Sequence, residues 1–231
     1  MSSTLHAAAL DAFAVLFPVS CAGCARVDRA LCDDCRAQLS AQSVTGVQDV
    51  PSLYLHTISG LPVLSALMYR GVVRRAILAF KEANRTDIVR WLAPSLLAAI
   101  EQAADICADG DGLTLCPVPS PRSSWRRRGY RPVERLMTAA GLRAQPILRP
   151  TRHRVHQKAL DRDARWHNVA GSMVAHGSLE GRSIILVDDV VTTGATLAEA
   201  ARAVREARGN VVSAATLAFT PRLFPDEIRS L

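Results

Sequence analysis

The stretch from Ile184 to Thr196, IILVDDVVTTGAT, constrains this chain more than any other. Ile184, Ile185, Leu186 and Val187 run without polar alternation and are mostly β-branched, the pattern of a strand covered on both faces. Two acids, Asp188 and Asp189, follow at the carboxyl end of the strand. A polar loop comes next, Thr192-Thr193-Gly194-Ala195-Thr196, and then a helix-forming run. A strand–loop–helix unit of this kind sets the unpaired N–H groups of a helix amino terminus, and the positive end of its dipole, beside the loop.

That loop suits one phosphate. Gly194 lets the backbone approach closely and take unusual dihedrals, and the hydroxyls of Thr192, Thr193 and Thr196 add donors. The loop has no lysine, so neutral donors and the helix dipole would hold the anion. The two acids do not favour further phosphate directly. They suit vicinal hydroxyls, which donate, or a Mg²⁺ ion bridging to a pyrophosphate. Phosphate at one end and a diol at the other describe a ribose 5-phosphate. A plainer reading is a buried strand followed by a capped helix, with Thr196 and Glu199 as a capping box. It explains the cap but neither the paired acids nor the three threonines. The G-x-x-x-x-G-K-[ST] loop and the Rossmann fingerprint are both absent.

A chain of 231 residues can bury one good core and carry a small extra module. A hydrophobic fraction of 49% is too high for a disordered chain. The net charge is +7, with Arg far outnumbering Lys. That balance fits phosphate or polyanion recognition, and it also fits a merely basic surface. No apolar run reaches the ~20 residues of a membrane span. The amino-terminal stretch contains Asp11 and no basic leader, which argues against a signal peptide. Its Leu5, Ala9, Phe13, Leu16 and Phe17 recur at helical spacing, predicting an amphipathic helix that ends near Pro18 and packs on the body of the protein.

Four cysteines follow as Cys21-x2-Cys24-x7-Cys32-x2-Cys35. Two Cys-x-x-Cys knuckles can present four thiolates tetrahedrally to Zn²⁺, and a site with all four ligands supplied is structural, not catalytic. A disulfide pair, an iron–sulfur cluster and free thiols are the competing readings; a reducing cytoplasm disfavours the first. Cys107 and Cys116 stand apart and read as small apolar core residues.

Along the chain, residues 1–45 read as helix plus cysteine module and 46–231 as the main domain. SAQSVTGVQDVPS is a linker, and Leu53–Leu67 a weakly marked strand or hairpin. Val73, Ile77 and Phe80 mark a helical face, with Arg74, Arg75 and Lys81 outside it. Thr86 or Asp87 is placed to cap a further helix through Trp91, Leu96 and Ile100, in which Pro94 makes a kink or a new start. LTLCPV is a buried strand. It leads into a Pro-rich loop with five arginines between 122 and 131, then a helix from Pro132 to Gly141, then a short strand near Ile147. Residues 150–168 are basic and irregular, a length usual for a functional loop. The 184–187 strand, a 196–208 helix and the strand VVSAATLAF complete an alternation that implies an α/β fold with a mostly parallel sheet flanked by helices.

With these pieces in order, the chain resembles the ComF-type family, a zinc-ribbon module joined to a type I phosphoribosyltransferase domain. The resemblance rests on the four cysteines, CPVPSPRSSWRRRGY, HQKALDRDARWHN and IILVDDVVTTGAT. It implies that Asp188 and Asp189 are the catalytic acids, contacting the ribose hydroxyls of phosphoribosyl pyrophosphate (PRPP) and positioning a cationic sugar. Thr192, Thr193, Gly194, Ala195 and Thr196 would wrap the 5-phosphate. Pro119, Ser120, Arg122 and Arg128 would face the pyrophosphate together with Mg²⁺. Gln157, Arg165 and Asn168 would lie on a closing loop. The implied reaction transfers ribose 5-phosphate to a nitrogen acceptor in the cytoplasm, in a family associated with natural competence. Two alternatives stand beside this reading: a non-catalytic adaptor of DNA uptake, whose basic surface and zinc module hold single-stranded DNA or a helicase partner, and a PRPP-sensing regulator. One departure stands out. The family usually follows Arg-Gly-aromatic with Asn-Gln, and here Gly129-Tyr130 is followed by Arg131-Pro132, which bears on the choice of acceptor.

Overall fold

The structure is a computed structural model that describes residues 19–27, 29–43, 53–106, 112–151, 169–221 and 229–230. The predicted amino-terminal helix, the linker, Cys107, and Gln157, Arg165 and Asn168 lie outside them. So does the side chain of Arg122.

The described strands are β1 (Tyr54–Ile58), β2 (Leu61–Met68), β3 (Thr114–Pro117), β4 (Leu148–Pro150), β5 (Met173–Ala175), β6 (Ser183–Val191), β7 (Asn210–Phe219) and β8 (Arg229–Ser230). The described helices are α1 (Asp33–Ser43), α2 (Gly71–Glu82), α3 (Val89–Asp105), α4 (Arg122–Arg128), α5 (Pro132–Ala139) and α6 (Ala195–Glu206). The main sheet runs β3-β6-β7-β2-β1-β8. The β3–β6, β6–β7 and β7–β2 pairings are parallel, and β1 joins β2 as an antiparallel hairpin. This is the expected fold class, with its mostly parallel sheet, flanking helices and cysteine module.

Alternate residues of β6 bury on opposite faces, which makes three layers. Ile185 and Val187 pack with α2, α3 and α5, and the cluster extends without a break to Cys21, Leu31, Cys32 and Cys35. Ile184 and Leu186 pack with α6, Leu148 and Met173. The cysteine module therefore shares one apolar core with the sheet. Buried Cys116 belongs to the second cluster, as its apolar reading requires.

Several local expectations change. The strand predicted over 184–187 continues to Val191, so both acids lie within the ladder, with Asp188 opposite Thr216 of β7. The capping box does not form. Gly194 in the left-handed region caps α6 without a side-chain bond, and Thr196 lies inside the helix. Glu199 instead accepts from Met173 N at 3.0 Å and pairs with Arg202 at 2.7 Å, which ties the paired strands β4 and β5 to α6. Neither Thr86 nor Asp87 caps α3. They form a 3₁₀ turn whose Asp87 pairs with Arg85, and Pro94 falls inside the helix. The arginine run, read as loop, folds as α4 and is closed by Gly129 at φ +76°.

Candidate functional site

The carboxyl ends of β3 and β6 meet at one edge of the sheet, where Val118 N donates to Val187 O at 2.8 Å. This brings the Pro119–Ser120 loop beside the acid pair. After Val191 the chain turns through Thr192, which is exposed, and Thr193, which is half-buried, into the amino end of α6. Gly194 has φ +77°, and a Cβ there would lie 2.7 Å from the side chain of Ile58. Only glycine fits this conformation without strain. Thr193 Oγ1 accepts from Ala195 N at 3.4 Å. Asp188, Asp189 and the Thr192–Thr196 cradle are thus consecutive on one strand–turn–helix unit, as the sequence requires.

The acid pair has a partner that sequence reasoning missed. Lys81, in the last turn of α2, places Nζ 2.9 Å from both Asp189 carboxylate oxygens. The side chains retain only 25% and 11% of their exposure. Burial works against the Lys81 ammonium, but Asp189 and then Asp188 outweigh it and hold the pKa above the ordinary lysine value. Asp188 moves the other way from a usual carboxylate. Burial, then the charge of Asp189, push it up to about 7, with Lys81 partly offsetting both. One signal in the sequence pointed to Lys81: of 28 basic residues, only it and Lys158 are lysines.

The residues flanking Lys81 are also engaged. Tyr130 OH donates to Phe80 O, and the two rings pack 5.3 Å apart. Glu82 accepts from Arg127 and, at 2.6 Å, from Arg128. The Arg128 side chain is 10% exposed, and its Nε is buried without a hydrogen-bond partner among the described residues. Beside the Pro119–Ser120 loop opens a cavity of about 390 Å³, walled by Ser120, Trp125, Arg126, Arg131, Arg149 and His176 among others. Arg131, where the family usually has Asn, stands 5.6 Å from the Trp125 ring centroid and 2.8 Å from Glu134.

The four cysteines form the second candidate site. Their Sγ atoms all lie within 4.8 Å of one another, with Cys24 and Cys32 3.7 Å apart. Zn–S bonds of about 2.3 Å at tetrahedral angles separate sulfurs by about 3.8 Å. Gly23 N and Cys32 N each donate to Cys21 Sγ at 3.3 Å. Burial opposes the Cys21 thiolate, but N–H groups of Cys32, Cys24 and Gly23 outweigh it and bring the thiol down to about 6. A Cβ on Gly23 would stand 2.6 Å from Cys35 Sγ, so this knuckle needs glycine. Arg75 donates to Gly23 O, and Arg85 to Ser20 O at 2.7 Å, which clamps the cluster onto α2 and the turn after it. The cluster can hold a tetrahedral metal ion.

Residues 153–225 match the family model of the phosphoribosyl transferase domain. The matched segment contains β6, the acid pair, the cradle and α6. No curated protein matches the sequence. Two solved structures match at low similarity. One is a hypoxanthine phosphoribosyltransferase from Staphylococcus aureus, with 11% identity over 63% of this chain and 70% of that one, at a TM-score of 0.35. The other is an orotate phosphoribosyltransferase from Aeropyrum pernix, with 13% identity over 82% and 96%, at a TM-score of 0.32. Among the described residues, no helix is long and apolar enough to cross a membrane.

Proposed function

We propose that this protein is a phosphoribosyltransferase of the ComF type that binds PRPP and transfers its ribose 5-phosphate to a nitrogen acceptor. The observation that carries the reading is the succession of Asp188, Asp189 and the αL Gly194 cradle along one strand–turn–helix unit. N–H groups and threonine hydroxyls at the start of α6 hold the 5-phosphate, and the acid pair accepts from the ribose hydroxyls. In the transfer, the C1–O bond to pyrophosphate breaks and its electron pair leaves with the diphosphate. The acceptor nitrogen forms the C1–N bond and sheds its proton. The acid pair positions the sugar and, with Asp188 ionised, stabilises its cationic form between these events, and the arginines of α4 offset charge on the leaving group. The cavity beside Ser120 and Trp125 takes the acceptor, and Trp125 offers a planar ring a stacking face.

The cysteine cluster holds Zn²⁺, which supplies cross-linking and no chemistry. Reduced thiolate ligands suit a cytoplasmic protein. A role in DNA uptake is a second reading, favoured by the exposed Arg126 and Arg127 beside Trp125 on α4. The reaction reading is tested by calorimetry on zinc-loaded protein with ribose 5-phosphate and with PRPP plus Mg²⁺. Saturable heat with both, lost in Asp188→Asn, is the expected result; no heat from folded protein removes it.

A further inference from the structure

The implied Mg²⁺ does not fit the acid pair as this chain builds it. Mg²⁺ needs near-octahedral oxygen ligands and gives up water reluctantly. The oxygens of Asp189 are already shared by one ammonium, at 2.9 Å each. We infer that Lys81 is the resident cation of the acid pair, occupying Asp189 in place of a divalent metal and leaving Asp188 to meet the sugar hydroxyls.

Three features support this. The first is the choice of side chain. The chain uses arginine for nearly all its positive charge, yet lysine stands here. An ammonium is a compact point charge that can centre between two oxygens, whereas a guanidinium is a wide planar fork. The second is fixation. Phe80 is buried beneath Tyr130 and Glu82 is held by Arg127 and Arg128, so the turn of α2 that carries Lys81 has a set register. Lys81 is therefore not a surface lysine folded back by chance. The third is charge. Two acids beside a phosphate cradle would repel an incoming phosphorylated sugar. Lys81 offsets the charge of Asp189, so Asp188 is the carboxyl left to the diol. The charged groups acting on Lys81 are Asp189, Asp188 and, opposing them, Arg128.

The consequence is that the acids by themselves hold no divalent metal tightly. The inference deepens the ribose-phosphate reading and rests on it for the role of the diol, but its test needs no sugar.

The experiment measures free Mn²⁺ by electron paramagnetic resonance with full-length, zinc-loaded protein and no sugar. Lys81→Met, which frees Asp189, is expected to tighten Mn²⁺ binding by about tenfold or more, the scale of one partly buried charge pair. Lys81→Arg is expected to keep the weak binding of the parent. Should Lys81→Met fail to fold, Lys81→Gln carries the same test, because it also removes the ammonium and leaves Asp189 free. The inference is overturned if the parent binds Mn²⁺ as tightly as the folded variant that lacks the ammonium. A failed ribose 5-phosphate titration would remove the sugar reading and leave the Mn²⁺ result standing.

Discussion

Asp188 follows the buried run of β6 and is bonded to its own chain, accepting from Asp189 N at 2.8 Å. Its carboxyl is pushed up to about 7 by burial and by Asp189, with Lys81 acting against both. In the unfolded chain an aspartate titrates near 4. Between about 4 and 7 the folded state therefore keeps a proton that the unfolded state has released. Asp188 thus favours the folded state fully below about 4, and that contribution is lost as pH rises through 7. Thermal melts of the parent and Asp188→Asn across this window should show the parent losing stability relative to the variant, with the two running parallel above it. A constant difference would mean that Asp188 is not held protonated. The same burial that makes ionisation costly keeps water from competing for the ionised carboxylate's lone pairs when a diol docks. Gly194 makes the complementary point about what a sequence discloses. Its need for φ +77° is local and legible, but the side chain of Ile58 that forbids a Cβ comes from another strand.

Among the elements, α2 does the most and announced it least. Val73, Ile77 and Phe80 are buried as their spacing predicts. Lys81, which the spacing places outside that face, holds Asp189, and its neighbour Glu82 holds the arginines of α4. The β6–α6 unit was readable because strand, acids, glycine and helix are contiguous. The Lys81–Asp189 contact was not, because it spans 108 residues and no local pattern encodes it. Nor was α4, whose flanking Pro121 and Gly129 read as loop, although Gly129 is its left-handed cap. Glu82 has a consequence for anion binding. It engages Arg127 and Arg128, two arginines of α4, and Arg128 in turn holds its carboxyl below the usual range. Glu82→Gln should release the exposed Arg127 at little cost, while the buried Arg128 loses its partner and lowers the melting temperature. In salt-titrated binding to single-stranded DNA, the variant should show a steeper slope, by about 0.7 for each arginine recruited. An unchanged slope would separate α4 from nucleic acid and remove the DNA-uptake reading.

For the whole molecule, the decisive fact is that the cysteine cluster and the sheet share one core. Cys21, Cys32 and Cys35 are buried in the same apolar cluster as Val73, Leu92 and Val187. Arg75 and Arg85 bind the backbone of the module from α2 and the turn that follows. A metal held by four thiolates adds its binding free energy to folding. Because the module is continuous with the core, that contribution belongs to the molecule and not to a detachable finger. Cys32→Ser should therefore lower a single cooperative melt instead of adding an early separate transition. Chelating the metal from the parent should do the same. The acid pair and cradle are built on β6 and α6, and among the described residues none of their bonds runs through a cysteine. The fraction of Cys32→Ser still folded at low temperature should thus bind ribose 5-phosphate with the parent's affinity. Calorimetric melts with metal content measured on the same samples decide the matter. A variant that melts like the parent and retains its metal would show that Cys32 is not a ligand. Two resolved transitions would show that the module unfolds by itself despite the shared core.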